Sequence, residues 1–290
     1  LDLLDTYKNY DETKTDRFVF MIEKSESALL EPYLAELAGE AYERFVKKYA
    51  YTPPPPVRIE VYRSHADFSV RTVGMAGLGA LGVSFGTTVA FNSPASKDAG
   101  PFNWGSTLWH ELAHTFTLGS TDHRIPRWLS EGLSVYEERR ARPGWGFDVT
   151  PAFLDAFQKK KLVPPSRMND GFMHPAFPEQ VMFSYYEASL ICELIARDAG
   201  EDALVRMLAG YKAGQSTEQV FQSVLKTDMA SFDQKFDAYL RQRFAGPLAS
   251  LDAFIASYGQ GKGLFESGKL DDAVPALERA KTIFPQFGGD

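Results

Sequence analysis

With 290 residues, 44% of them hydrophobic and 24% charged, the chain has the composition of a folded globular protein and length for one large domain or two modest ones. Its net charge of −7 comes from well-mixed acidic and basic residues; no basic stripe is present to collect phosphates, which argues against nucleic acid as a partner. No apolar run approaches the roughly 20 residues that cross a bilayer, and Cys192, the sole cysteine, rules out an internal disulfide.

In chain order, "DRFVFMIEK" (Asp16 to Lys24) predicts a strand with Phe18, Phe20 and Ile22 on one face. A helical pattern follows from Leu29 to Ala50 and stops before the stiff Thr52 to Pro56. Val57 to Arg63 alternates as a second strand, and Ser64 with Asp67 three residues later has the form of a helix start. The passage "VGMAGLGALGVSFGTTVAFNSP" carries glycines at 74, 77, 79, 82 and 86. Strands are expected at 81–85 and 88–91, as a loop plus edge strand; no Gly-Lys-Ser/Thr follows, so it is not a phosphate loop. From Trp104 the chain turns helical, with helices expected at 104–118, 126–141, 150–160, 180–199, 201–211, 216–225 and 228–244. Cys192 falls in one of these apolar runs and reads as a buried, inert thiol. Strands first and helices afterwards make the fold class α+β.

Within the first of these helices lies "STLWHELAHTFTLG", Ser106 to Gly119. Residues four apart share a helix face, so His110 and His114 can present imidazole nitrogens to one ion, with Glu111 beside them. A zinc ion takes such ligands at about 2 Å, keeps a position for water when the protein supplies three, and lowers that water's pKa to about 7. Ordinary amino-acid usage yields H-E-x-x-H at random in roughly one chain in a hundred of this length. A surface helix with two packing histidines therefore stays the alternative until other residues join. "IPRWLSEGLSVYEER", Ile125 to Arg139, offers one: Pro126 suits a first helical turn, and Glu131 sits among Trp128, Leu129, Leu133 and Tyr136. A helix packed on the first could bring that carboxylate to the metal.

The pair "HELAH" and "WLSEGLSVYEE" resembles the gluzincin metallopeptidases of the peptidase MA clan, above all the aminopeptidase type, which carries W-L-N-E-G-F-A-x-Y-x-E after its H-E-x-x-H. Matching positions are Trp128, Leu129, Glu131, Gly132, Tyr136 and Glu138, with Ser130 where asparagine is usual. The resemblance implies zinc held by His110, His114 and Glu131, with Glu111 as general base. The 16 residues between His114 and Glu131 are two fewer than the family's usual spacing. A metzincin pattern fails because Thr117 and Ser120 stand where glycine and histidine are needed; His123 is left as a fallback ligand. Downstream, "MFSYYEASLICELIARDAGED" is similar to the family's Y-E-K-G-A stretch, which puts Tyr186 in the role of oxyanion donor, with Tyr185 behind it and His174 a third group within reach. The alternative is that both tyrosines are core aromatics. Glu138, seven residues beyond Glu131, reads equally as an outer partner of a zinc histidine and as a solvated helix end.

One family feature is missing. No G-x-M-E-N segment precedes the zinc helix, and no acidic residue stands between Asp67 and Asp98 to hold a free α-amine. An endopeptidase that pairs substrate backbone with an edge strand is the better expectation. In the tail, Gly261, Leu264, Ala273, Leu277, Ala280 and Pro285 fall at the spacing of a tetratricopeptide repeat, against the alternative of an ordinary helical hairpin. One repeat cannot bury its apolar face alone; with Leu1 in place of a starting methionine, a longer parent protein is expected.

These readings combine into a zincin-like (gluzincin) α+β domain over 1–246, with a strand-rich N-terminal lobe to about 120 and a helical C-terminal lobe, followed by a tetratricopeptide-like hairpin over 247–290. Its expected partners are a peptide or protein substrate and a protein bound by the tail. The competing classes are a non-catalytic peptidase-like scaffold and a zinc hydrolase of a non-peptide substrate.

Overall fold

A computed structural model describes residues 7–74, 80–96 and 102–285. Five strands form one mixed sheet: β1 (Tyr10–Lys14), β2 (Phe18–Glu23), β3 (Val57–Tyr62), β4 (Gly82–Phe85) and β5 (Thr88–Asn92), in the order β1-β2-β3-β5-β4. β2, β3 and β5 run parallel, Phe20 opposite Ile59 and Ile59 opposite Val89, while β1 and β4 are antiparallel edges. Parallel neighbours need long crossovers; α1 (Lys24–Tyr49) supplies the first and α2 (His65–Val73) lies within the second. Ser64 caps α2 as expected, its side chain accepting from the Asp67 N–H. A tight turn at Gly86, whose φ of 62° suits glycine, joins β4 to β5.

β2 forms as expected with Phe18, Phe20 and Ile22 on one face; Val19 and Met21 on the other face are buried too, because an inner strand with parallel pairing is covered on both faces. β1 was outside the expected strands, since "YDETK" is polar and mostly exposed, as an edge strand can be. Gly77 and Gly79 of the glycine-rich passage lie outside the described residues.

The chain divides into two compact units, Leu1–Phe147 with Glu187–Thr227, and Asp148–Tyr186 with Asp228–Asp290. In the first, α3 (Trp104–Ser120) packs on α1, on β4 and β5, and on α4 (Arg127–Ala141). Phe45 of α1 meets Trp109 and Phe116 of α3 edge-on at 5.4 and 5.5 Å. Glu137 of α4, fully buried, accepts from the Tyr49 hydroxyl at 3.1 Å and pairs with Lys48, which ties α4 to α1. Cys192, on the part of α7 (Gln180–Ala199) in this unit, is fully buried, and burial pushes its thiol up. α8 (Glu201–Lys212) and α9 (Thr217–Val220), which runs on into a π turn, complete the unit.

In the second unit, Phe153 of α5 (Pro151–Gln158) gathers Phe183, Tyr186 and Phe244 around it at 5.0–6.0 Å. The stretch expected as a loop before α7 contains a short helix, α6 (Met168–Met173). α10 (Met229–Arg243) leads into α11 (Ala245–Glu266), whose first turn holds Gly246 and Pro247. α11 and α12 (Leu270–Ile283) form an antiparallel hairpin in which Gly261, Ala273, Ala276 and Ala280 are buried, and α11 also packs on α5. No described helix is long and apolar enough to cross a membrane.

Candidate metal centre

α3 begins where Asn103 accepts a hydrogen bond from the Ser106 N–H at 3.0 Å. Apolar side chains surround most of this helix, so its polar residues are interior groups: Glu111 is 6% and His114 9% exposed. α4 follows Pro126 and crosses close to α7, where a Cβ on Gly132 would meet the carbonyl oxygen of Ala188 at 2.8 Å. Glycine at that crossing lets α4 lie low, and Glu131 is its neighbour.

As a result His110, His114 and Glu131 come together, their ligand atoms all within 4.8 Å of one another. His110 Nε2 lies 3.1 Å from His114 Nε2, and Glu131 Oε2 lies 3.3 and 3.2 Å from the two. Four tetrahedral ligands at 2.0–2.1 Å from zinc stand about 3.3 Å apart. Two imidazole nitrogens and one carboxylate oxygen at this spacing fit such an ion, with a fourth position left over.

The far sides of the imidazoles are held differently. His110 Nδ1 is 2.6 Å from Glu138 Oε1, and the second oxygen of Glu138 accepts from the Ser106 hydroxyl, which itself accepts from the Gly146 N–H at 3.1 Å. A carboxylate accepts, so Nδ1 carries a proton, and Nε2 is the nitrogen turned toward Glu131 and His114. His114 Nδ1 instead faces two hydroxyls, Ser130 at 2.9 Å and Ser134 at 3.3 Å. The reading of Glu138 as a solvated helix end is thereby corrected: it is 6% exposed and bonded to His110.

Charges within the group shift one another. Burial disfavours the His110 imidazolium, but the carboxylates of Glu138, Glu131 and Glu111 outweigh it and carry its pKa well up. Burial alone would raise Glu131; the two histidines hold it far down instead. Glu111 goes the other way, because for it burial outweighs the histidines and raises the pKa.

Edge strand β4 runs beside α3. Ser84 and Thr115 hydroxyls are 3.4 Å apart, and a Cβ on Gly82 would sit 2.8 Å from the Glu111 carboxylate. Of the remaining expected groups, His123 and His174 are exposed and outside the cluster. Tyr186 belongs to the second unit, 2% exposed, its ring 5.0 Å from that of Phe153; Tyr185 packs on Phe172 at 5.2 Å. Ser106, Ser134 and Gly82 escaped the sequence reading. Ser106 had one signal, its place one helical turn before His110.

The family model of the Peptidase MA superfamily matches residues 38–242. None of the curated proteins matches the chain.

Proposed function

Because the chain belongs to the peptidase MA superfamily, we propose that it is a zinc-dependent metallopeptidase of the gluzincin type that cleaves peptide bonds within a chain. The observation that carries this reading is the triangle of His110 Nε2, His114 Nε2 and Glu131 Oε2, with Glu111 buried next to it. In this reading those three residues hold the ion. Zinc when bound supplies Lewis acidity, which acidifies water and polarises a carbonyl.

The chain's own residues do the rest. Glu111 takes the proton from the attacking water and returns it to the departing amine nitrogen. Burial lifts its pKa above the ordinary carboxylate value, the direction a proton-accepting and proton-returning group needs. Glu138 keeps the proton on His110 Nδ1, and Ser130 and Ser134 orient His114. Tyr186 is assigned the oxyanion hydrogen bond on the family resemblance.

Endopeptidase action is supported by β4, an edge strand against the helix that bears Glu111, and by the lack of any acidic residue between Asp67 and Asp98. The proposed peptidase domain spans 1–246. The hairpin of α11 and α12, with its buried small residues, is the proposed tetratricopeptide-like surface for a protein partner.

Glu111→Gln tests the mechanism. The variant should keep one zinc per chain while losing hydrolysis of an unfolded protein such as casein. Full turnover by the variant would end the role of Glu111.

A further inference from the structure

The two oxygens of Glu131 have different neighbours. Oε2 lies 3.3 and 3.2 Å from the histidine nitrogens, whereas Oε1 lies 3.4 Å from Nε of Arg127. Arg127 is the first residue of α4, one turn before Glu131; its side chain is 46% exposed and that of Glu131 12%.

Helix energetics do not account for an arginine there. A cation in the first turn opposes the helix dipole, and a basic residue four positions before an acidic one is the weaker order for a helical ion pair. What the position does provide is a guanidinium nitrogen 3.4 Å from Oε1, while Oε2 is the oxygen paired with the histidines.

We infer that Arg127 is a positioning residue that confines Glu131 to one-oxygen coordination, an inference that rests on the ligand set proposed above. A carboxylate can bind a metal through one oxygen or both. Binding through both would make four protein donors of the present three, so that with water the ion becomes five-coordinate. A guanidinium on Oε1 takes up its lone pair and part of its charge, which leaves Oε2 as the donor. Lysine, a point charge without the planar fork, would replace it only in part.

The test uses the whole chain and two metals. Zinc affinity is measured by competition with a chromophoric chelator for wild type, Arg127→Ala, Arg127→Lys and Glu131→Ala. Cobalt(II) is then loaded and its visible absorption recorded, since four-coordinate cobalt absorbs more strongly than five-coordinate. Arg127→Ala should show a fainter cobalt band and bind zinc about three- to tenfold more tightly, since a second oxygen and the full carboxylate charge become available; the half exposure of Arg127 keeps the change modest. Arg127→Lys should return both part of the way to wild type. Arg127→Gln takes the place of the alanine variant if the latter does not fold by circular dichroism. Wild-type affinity and band in Arg127→Ala, with Glu131→Ala clearly weakened, would overturn the inference alone. Unweakened binding in Glu131→Ala would overturn the ligand set and this inference with it.

Discussion

Replacing Gly82 by alanine probes how β4 sets the position of Glu111. The added Cβ would stand 2.7 Å from Thr107 Cγ2 and 2.8 Å from both Cγ and Oε1 of Glu111, where ordinary contact begins at 3.4 Å. About 0.6 Å of movement must be found. Thr107 is anchored to α3 close to its backbone, so much of the movement falls on the Glu111 side chain. Overpacking of this kind costs about 1–3 kcal/mol, and misplacing a reacting group by about 1 Å costs on the order of 100-fold in rate. We expect kcat/KM to fall about 10- to 100-fold and Tm to fall by a few degrees, with zinc affinity within about twofold of wild type, since the atoms nearest the new methyl group belong to Thr107 and Glu111 rather than to a ligand. The assay is cleavage of a quenched fluorescent peptide, beside chelator competition for zinc. Wild-type kcat/KM in Gly82→Ala would refute the argument that the edge strand positions the base.

Glu138→Gln keeps an acceptor for His110 Nδ1 but loses the charge, and should weaken zinc binding about tenfold; Glu138→Ala leaves Nδ1 without its partner and should weaken it about 100-fold. Affinity within twofold of wild type for the alanine variant, by chelator competition, would rule this out. Gly132→Ala should lower stability by about 1–3 kcal/mol despite alanine's better helix propensity, because the new Cβ meets backbone atoms of Ala188 at 2.8–2.9 Å; urea denaturation reads this, and an unchanged midpoint would contradict it. Glu60 of β3 gives a pH signature. Burial pushes its pKa up, but hydrogen bonds from Arg58, Tyr62 and Arg71 outweigh that and hold it below 4.5. A folded pKa below the unfolded one gives stability that is present above pH 4.5 and lost as pH falls through the folded value. Glu60→Gln should therefore be less stable than wild type at pH 7, a gap that narrows in acid. A gap independent of pH in thermal melts would disprove it.

Much of this was legible in the sequence where one local signal was strong. The i, i+4 histidines, Pro126 before the second helix and Ser64 before α2 each act within one or two turns, and those elements lie where the residues indicate. Signals that depend on distant partners were not legible. The burial of both faces of β2 follows from parallel neighbours that only the topology supplies. α6 is too short, and too rich in Asn, Asp and Gly, for periodicity to stand out. Glu138 looked equally like a surface glutamate because its meaning comes from His110 and Ser106 on another helix. Gly82 fell within an expected edge strand, and its closeness to Glu111 appears only once β4 is laid on α3.

The central claim is peptide hydrolysis at a zinc site. Its most direct measurement is a digest of a mixed peptide library by the zinc-loaded protein, read by mass spectrometry beside Glu111→Gln. Internal cuts made by the wild type and absent with the variant are the predicted result. No cuts from a protein shown to carry one zinc per chain, or the same cuts from the variant, would contradict it.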